Sequence, residues 1–104
     1  MLEYQVLSRR TRNHALNDAA HYVNSALGLA GEAGEVADLV KKWRMQGHML
    51  DHRKLKEELG DVLYYVADMC STLNVSLSDI ACGNLSKLKE RYPDGFDERR
   101  SQQR

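Results

Sequence analysis

Proline occurs once in this chain of 104 residues, at Pro93, so no proline interrupts a helix anywhere in residues 1–92. Runs in which β-branched residues alternate with polar ones, the pattern of a half-buried strand, are scarce. The sequence therefore predicts an all-α fold. We expect a single helical domain over residues 1–96, because the chain has no linker or repeat, and a disordered tail over residues 97–104.

Start and stop signals divide the chain into four predicted helices. Gly47 and Asn74 are expected to end the second and third helices, Asp51 to cap the third, and Pro93 to break the chain after the fourth. The predicted bounds are about Leu2 to Arg12, Asp18 or Tyr22 to Gln46, Arg53 to Leu73, and Ser76 or Ser78 to Arg91 or Tyr92.

Composition excludes several classes of function. The chain has 15 basic and 15 acidic residues and a formal net charge of zero, whereas nucleic-acid and membrane-surface binders usually carry a basic excess. No apolar run approaches the roughly 20 residues that cross a bilayer, and the N-terminus lacks the apolar segment of a signal peptide. We expect a soluble cytoplasmic protein in which Cys70 and Cys82 are reduced packing residues.

Two acid pairs, Glu32-x-x-Glu35 and Glu58-x-x-Asp61, lie on the second and third predicted helices. The spacing i, i+3 places both carboxylates of a pair on one side of its helix. If the two helices pack antiparallel, the pairs can form a four-carboxylate cluster, which a cation would have to stabilise. Oxygen ligands suit Mg²⁺ or Mn²⁺, and phosphates often complete such a site. Periodicity alone leaves open that these acids are ordinary solvated positions.

Apolar stripes and small residues surround the two acid pairs. Gly28, Gly31 and Gly34 on the second helix and Gly60 on the third weaken helix propensity by roughly 1 kcal/mol each, so we expect close helix approach or room for a ligand there. The stripes predicted to face the core are Leu29, Val36, Val40 and Trp43 on the second helix, and Leu55, Leu59, Val62, Val66 and Leu73 on the third.

Four segments together resemble the MazG-like nucleoside triphosphate pyrophosphohydrolases, an all-α superfamily. They are GLAGEAGEVADLVKK, QGHMLDHRKL, KEELGDVLYYVADM and NLSKLKERYPDGF, and the resemblance covers about residues 25–96. It implies a Mg²⁺-dependent hydrolase that cleaves a nucleoside triphosphate to the monophosphate and pyrophosphate. It also implies a four-helix bundle completed by dimerisation, as a homodimer or homotetramer, with active sites near subunit contacts.

The resemblance also implies roles for individual acids. Glu32, Glu35, Glu58 and Asp61 match the metal ligands of the family, and Mn²⁺ can substitute for Mg²⁺. We assign catalytic roles to Glu35 and Glu58, with Glu35 as the acceptor of the proton of the attacking water. Two further acids, Asp38 and Asp68, continue the acidic lines along the helices; a supporting role is open, but we expect plain surface acids.

The fourth helix supplies basic residues. Asn84, Lys87, Arg91 and Tyr92 match the family pattern Asn-x-x-Lys-x-x-x-Arg-Tyr-Pro, which implies contacts with the substrate. Lys87 and Arg91 can neutralise the leaving pyrophosphate; spacing alone favours a solvated face, and the resemblance reverses that preference. Lys42 lies on the flank of the first acid pair and is a further substrate-binding residue in our prediction.

The preferred base is not readable from the sequence. Aromatic residues such as Trp43 and Tyr64 could stack on a base, but a core position is the expectation for most of them. The N-terminal region offers Asn13 and His21 among its polar residues, without a recognisable motif. A specificity variant resembling dUTPase or dCTP pyrophosphatase stays open, as does a non-catalytic helical dimerisation module. A di-iron site is disfavoured because neither acid pair is Glu-x-x-His.

Overall fold

The structure, a computed structural model, describes residues 2–96 and residue 102. Helices account for most of these residues, and no strand occurs among residues 2–96, so the predicted all-α class is confirmed. The elements are helix α1 (Leu2–Ser8), a 3-10 turn (Arg9–Thr11), and helices α2 (Asp18–Gln46), α3 (His52–Leu73) and α4 (Leu77–Arg91). The expected disordered tail lies outside the described residues, apart from residue 102.

Side-chain caps set the helix starts. The side chains of Asn17, Asp51 and Ser76 accept hydrogen bonds from the backbone N–H groups three residues further on, at the first turns of α2, α3 and α4. Gly47 and Asn74 end α2 and α3 in the left-handed region, with φ of 73° and 58°. The predicted stop signals and the caps at Asp51 and Ser76 are therefore confirmed.

Helix α1 is shorter than predicted. The α-helix ends at Ser8 instead of near Arg12, and the chain continues as a 3-10 turn through Thr11. The hydroxyl of Ser8 donates to the carbonyl of Gln5, and that of Thr11 to the carbonyl of Ser8. Such local side-chain bonds compete with the α-helical pattern, which explains the tighter turn.

Helices α2 and α3 form an antiparallel hairpin that organises the molecule. Ser25 contacts Asp68, and Gly28 contacts Tyr65. As the position rises along α2 it falls along α3, which establishes the antiparallel direction. At Gly28 the approach is close, because a Cβ atom would lie 2.3 Å from Tyr65 Cε1. At Gly31, Gly34 and Gly60 a Cβ would meet nothing within 4 Å, so helix packing within the chain does not require those glycines.

The buried apolar core is small. Ala67, Cys70 and Leu77 form it, with Tyr4, Leu63, Val66 and Val75 packed against it. Burial raises the pKa of the Cys70 thiol, but Cys82 is exposed, so the prediction of a packing role is wrong for Cys82. The described residues cover the predicted stripes only in part: Val40, Trp43, Leu59 and Leu73 are 40–54% exposed.

Gln5 joins α1 to the connection between α3 and α4. Its side chain is 1% exposed, and its Nε2 donates to the carbonyl oxygen of Val75 at 3.0 Å. Its Oε1 accepts from the backbone N–H of Leu77, the first residue of α4, at 2.7 Å. Both ends of the amide are thus satisfied, and the start of α4 is fixed to α1.

None of the described helices is both long and apolar enough to span a membrane.

Candidate active site

Three carboxylates from the two long helices meet at the edge of the hairpin. Glu32 comes from α2, Glu58 and Asp61 come from α3, and one oxygen of each lies within 4.8 Å of the others. Glu32 and Glu58 are half-buried, and Asp61 is exposed. In the described part of the chain this is the group of acidic, histidine or cysteine side chains with the spacing of a metal site.

Three carboxyl groups lie close together in this acid cluster, which consists of Glu32, Glu58 and Asp61. A hydrogen bond to Glu58 raises the pKa of Glu32 to about 7, with further contributions from burial and from the charges of Glu58, Asp61 and Glu35. The two carboxyl groups can share this hydrogen bond only when one holds a proton. The cluster therefore retains a proton near neutral pH unless a cation replaces it.

Glu35, the fourth predicted ligand, lies one turn further along α2. It is exposed and outside the group of three, although its charge acts on Glu32. Lys42 follows two turns later and forms an ion pair of 2.8 Å with Asp38. That ion pair lowers the pKa of Asp38 and raises that of Lys42, and Glu35 raises the latter further. Asp38 is thus a partly exposed acid of the helix surface, as expected.

The basic face of α4 stands apart from the acid cluster. All residues from 81 to 90, including Asn84 and Lys87, are exposed, while Arg91 and Tyr92 are half-buried. Among residues 2–96 the ion pairs are Lys42 with Asp38 and Arg12 with Asp68, so neither Lys87 nor Arg91 pairs with the cluster. Within one chain, the structure does not bring the predicted basic and acidic halves of the site into contact.

Asp68 contradicts the expectation of a plain surface acid. Its side chain is 5% exposed, its Oδ1 lies 2.9 Å from Arg12 Nε, and its Oδ2 accepts a hydrogen bond of 2.5 Å from Ser25. Arg12 Nη2 donates to Thr72 Oγ1 at 2.6 Å. One signal could have indicated this burial, because Asp68 interrupts the apolar run that extends from Val62 to Cys70. Its partner, Arg12, carries no such signal.

A cleft of about 220 Å³ lies between the connection that precedes α2 and the helices α2 and α3, and its lining does not include the acid cluster. Tyr64 and Tyr65 line it and lie one turn of α3 from Asp61, which is about 5–6 Å along the helix axis. Their rings form an edge-to-face pair with centroids 5.2 Å apart. The cleft is lined by Thr11, Arg12, Asn13, Leu16, His21, Asn24, Tyr64, Tyr65 and Asp68.

Trp43 is not a core residue, contrary to expectation. Its side chain is 43% exposed, and the guanidinium of Arg44 lies 5.8 Å from its ring centroid. Tyr92 and Phe96 form a second aromatic pair, with centroids 5.7 Å apart, after the end of α4. The aromatic residues beside the cleft are therefore Tyr64 and Tyr65, whereas Trp43 lies towards the other end of α2.

The chain is similar to one known protein family and to a phage protein. The family model of the MazG nucleotide pyrophosphohydrolase domain matches residues 22–96, a range that includes both acid pairs and α4. The Gene 37 protein of Mycobacterium phage L5 is 42% identical over 73 residues. That alignment covers 66% of this chain and 64% of the phage protein. No solved structure matches the chain.

Proposed function

The chain belongs to the MazG nucleotide pyrophosphohydrolase family, and from that premise we propose a Mg²⁺-dependent enzyme that hydrolyses a (deoxy)nucleoside triphosphate to the monophosphate and pyrophosphate. The observation that carries the proposal is the approach of Glu32, Glu58 and Asp61 within 4.8 Å. Such a concentration of negative charge is unfavourable in itself. A divalent cation would stabilise it and could bind the phosphates of a substrate at the same time.

The residues fit a hard divalent cation. They offer carboxylate oxygens from two rigid helices, and the hydrogen bond to Glu58, followed by burial and the charges of the neighbouring acids, raises the pKa of Glu32. In our proposal Glu32, Glu35, Glu58 and Asp61 hold Mg²⁺, for which Mn²⁺ can substitute. When bound, the ion would supply positive charge to the phosphate oxygens and acidify a water molecule.

Glu35 and Glu58 have distinct parts in the proposed reaction. Glu35 is exposed and lies outside the group of three, so in our proposal it is the ligand least saturated by the ion and its carboxylate also accepts the proton of the attacking water. Glu58 is the hydrogen-bond partner of Glu32, and deprotonation of that pair prepares both carboxylates for the ion. Lys42, whose ammonium acts on Glu35 electrostatically, would lie at the phosphate end of the site.

The remaining basic residues would come from a second copy of the chain. Asn84 and Lys87 project from the exposed part of α4, and with Arg91 and Tyr92 they would contact the triphosphate bound to a partner subunit. Positive charge on the leaving pyrophosphate side would stabilise the transition state. The active site would then be complete only in a homodimer or homotetramer.

Exposed area favours self-association. The chain exposes 7957 Å², whereas a compact monomer of this mass exposes about 5,900 Å². The excess of roughly 2,000 Å² per chain is comparable to what each subunit contributes to a large obligate interface. Leu27 on α2 and Leu85 on α4, 68% and 65% exposed, belong to the apolar surface available for it.

The cleft beside Tyr64 and Tyr65 is the proposed site of the nucleobase. Two residues of its lining, Tyr64 and Tyr65, lie one turn of α3 from Asp61, and its polar lining includes Asn24 and His21. A volume of about 220 Å³ is below the roughly 300–1,000 Å³ of pockets that hold drug-sized ligands, so it suits a base better than a whole nucleotide. The triphosphate would extend from there towards Asp61.

Pyrophosphate release from a panel of standard and modified (d)NTPs tests the reaction. We expect release with Mg²⁺, none with EDTA, and a loss of at least 100-fold in kcat in the Glu35→Gln variant. The Glu57→Gln variant, which changes an exposed neighbouring acid on α3, should retain full activity. If folded, Mg²⁺-stabilised protein releases no pyrophosphate from any nucleotide of the panel, the proposal is contradicted and a non-catalytic helical module is favoured.

Mixing two inactive variants tests the shared site. Asp61→Asn disables the acidic half and Lys87→Met the basic half, so mixed dimers should contain one site with both halves intact. We expect activity to return on mixing, because about one half of the active sites in the mixed dimers are intact. No recovery in a mixture shown by mass spectrometry to contain mixed dimers would contradict the contribution of α4 from the partner.

A further inference from the structure

One wall of the cleft is built from the connection between α1 and α2. Thr11, Arg12, Asn13 and Leu16 line this side, and α2 and α3 form the other. Most of residues 12–17 lack regular helical structure, so backbone hydrogen bonding alone does little to hold this wall in place. The wall also precedes residues 22–96, the range matched by the family model, and is therefore a feature of this chain outside that match.

A buried ion pair holds the wall to α3. Arg12 Nε lies 2.9 Å from Asp68 Oδ1, and the two side chains are 15% and 5% exposed. The contact is an ion pair without a well-aligned hydrogen bond, because Arg12 Nε has no aligned hydrogen-bond acceptor. The guanidinium is oriented instead by the 2.6 Å bond from Nη2 to Thr72. A second attachment is the hydrogen bond of 2.6 Å between Thr11 and Tyr64.

Both carboxylate oxygens of Asp68 face groups of the protein itself. One oxygen faces Arg12, and the other accepts the hydrogen bond from Ser25 on α2. Its carboxylate therefore joins three segments of the chain and has little capacity left for a metal or a substrate. Because desolvation offsets most of the attraction within a buried ion pair, such a pair contributes little net stability and is better explained by the geometry it specifies.

We propose that Arg12 and Asp68 are positioning residues that fix the wall of the cleft and thereby set the selectivity among nucleobases. The inference rests on the proposed function, since it takes the cleft as the place of the base. Arg12 and Asp68 act through the wall that carries Asn13 and Leu16 and through the position of Tyr65 opposite it. Displacements of about 1 Å in a binding site can change reaction rates by roughly 100-fold, so loss of the ion pair should be visible in selectivity.

Three variants probe the ion pair. Arg12→Lys keeps the charge but loses the planar fork, and Asp68→Asn keeps the shape but loses the charge. A single variant that leaves one charge buried without its partner can fail to fold. The double variant Arg12→Met with Asp68→Leu avoids this, because it replaces both charged side chains by apolar ones. Arg10→Lys is the control, because Arg10 is an exposed arginine in the same 3-10 turn.

The measurements are the dissociation constants of the four deoxynucleoside monophosphates with Mg²⁺, by calorimetry, and kcat and KM for the corresponding triphosphates. We expect the wild-type ratio between the best and the worst base to fall at least tenfold in the pair variants. The change should appear mainly in KM and in binding, with kcat for the preferred base reduced less. The control variant should keep the wild-type ratio, and Mg²⁺ should still raise the unfolding temperature of every variant.

Several results would overturn the inference. A folded double variant with a ratio within twofold of wild type would show that the ion pair does not set selectivity, as would equal binding of all four bases by the wild type. If the wild type binds selectively but hydrolyses nothing, the proposed reaction fails, while the binding ratios still decide the role of Arg12 and Asp68. A wild type that binds no nucleotide overturns both.

Discussion

Substitution of Gly28 by alanine should destabilise the hairpin of α2 and α3. A Cβ at this position would lie 2.3, 2.4 and 2.6 Å from three atoms of the Tyr65 ring, against a preferred separation of roughly 3.5–4.0 Å. Either the ring or the helix must move by about 1 Å or more. Overpacking of this kind costs about 1–3 kcal/mol, whereas the gain in helix propensity returns about 1 kcal/mol. We expect a net loss of up to about 2 kcal/mol.

Gly31→Ala is the matched control on the same helix. A Cβ at residue 31 meets nothing within 4 Å, so this change should stabilise the protein by about 0.5–1 kcal/mol. The two variants should differ by roughly 2 kcal/mol, or about 8–16 °C in Tm for a domain of this size. Thermal unfolding followed by far-UV circular dichroism, at one protein concentration and with EDTA, measures both. A Gly28→Ala variant at least as stable as Gly31→Ala would refute the described packing.

Two other perturbations address the acid cluster and the α4 connection. Without metal, the protein should lose stability as pH rises from about 4.5 to about 7, because folded Glu32 binds its proton more tightly than unfolded Glu32, whose ordinary pKa is 4.5. Unfolding temperatures across this range should show the decline in EDTA, and Glu32→Gln should reduce it; a stability that rises with pH in wild type and variant alike contradicts the account. Gln5→Leu leaves the Leu77 N–H and the Val75 carbonyl without partners, which should cost about 2–4 kcal/mol in urea unfolding. An unchanged midpoint would show that water replaces the amide.

Local chemistry made much of the fold predictable. The stops at Gly47 and Asn74 and the cap at Asp51 depend on residues within a turn of the helix end and were predicted from residue type, whereas Ser76 and Ser78 were both candidates for the cap of α4. The end of α1 was predicted less well. There the serine and threonine hydroxyls compete for backbone carbonyls, and the outcome depends on a balance of weak local bonds.

The candidate site was predictable only where one helix face determines the position. The acid pairs lie on one side of each helix, and antiparallel packing brings Glu32, Glu58 and Asp61 together as expected. The contact of Arg12 with Asp68 joins residues far apart in the chain, so no periodicity could indicate it. The exposure of Trp43 has a similar origin, because an apolar stripe does not say which surface covers it.

The central claim is that the acid cluster supports cleavage of a nucleoside triphosphate into monophosphate and pyrophosphate. Product analysis by phosphorus NMR, with the preferred triphosphate and Mg²⁺, tests it most directly in wild type, Glu58→Gln and the control Glu57→Gln. We predict equal amounts of monophosphate and pyrophosphate from wild type and control, and none from Glu58→Gln or in EDTA. Release of orthophosphate and a diphosphate, or undiminished turnover by Glu58→Gln, would contradict the account.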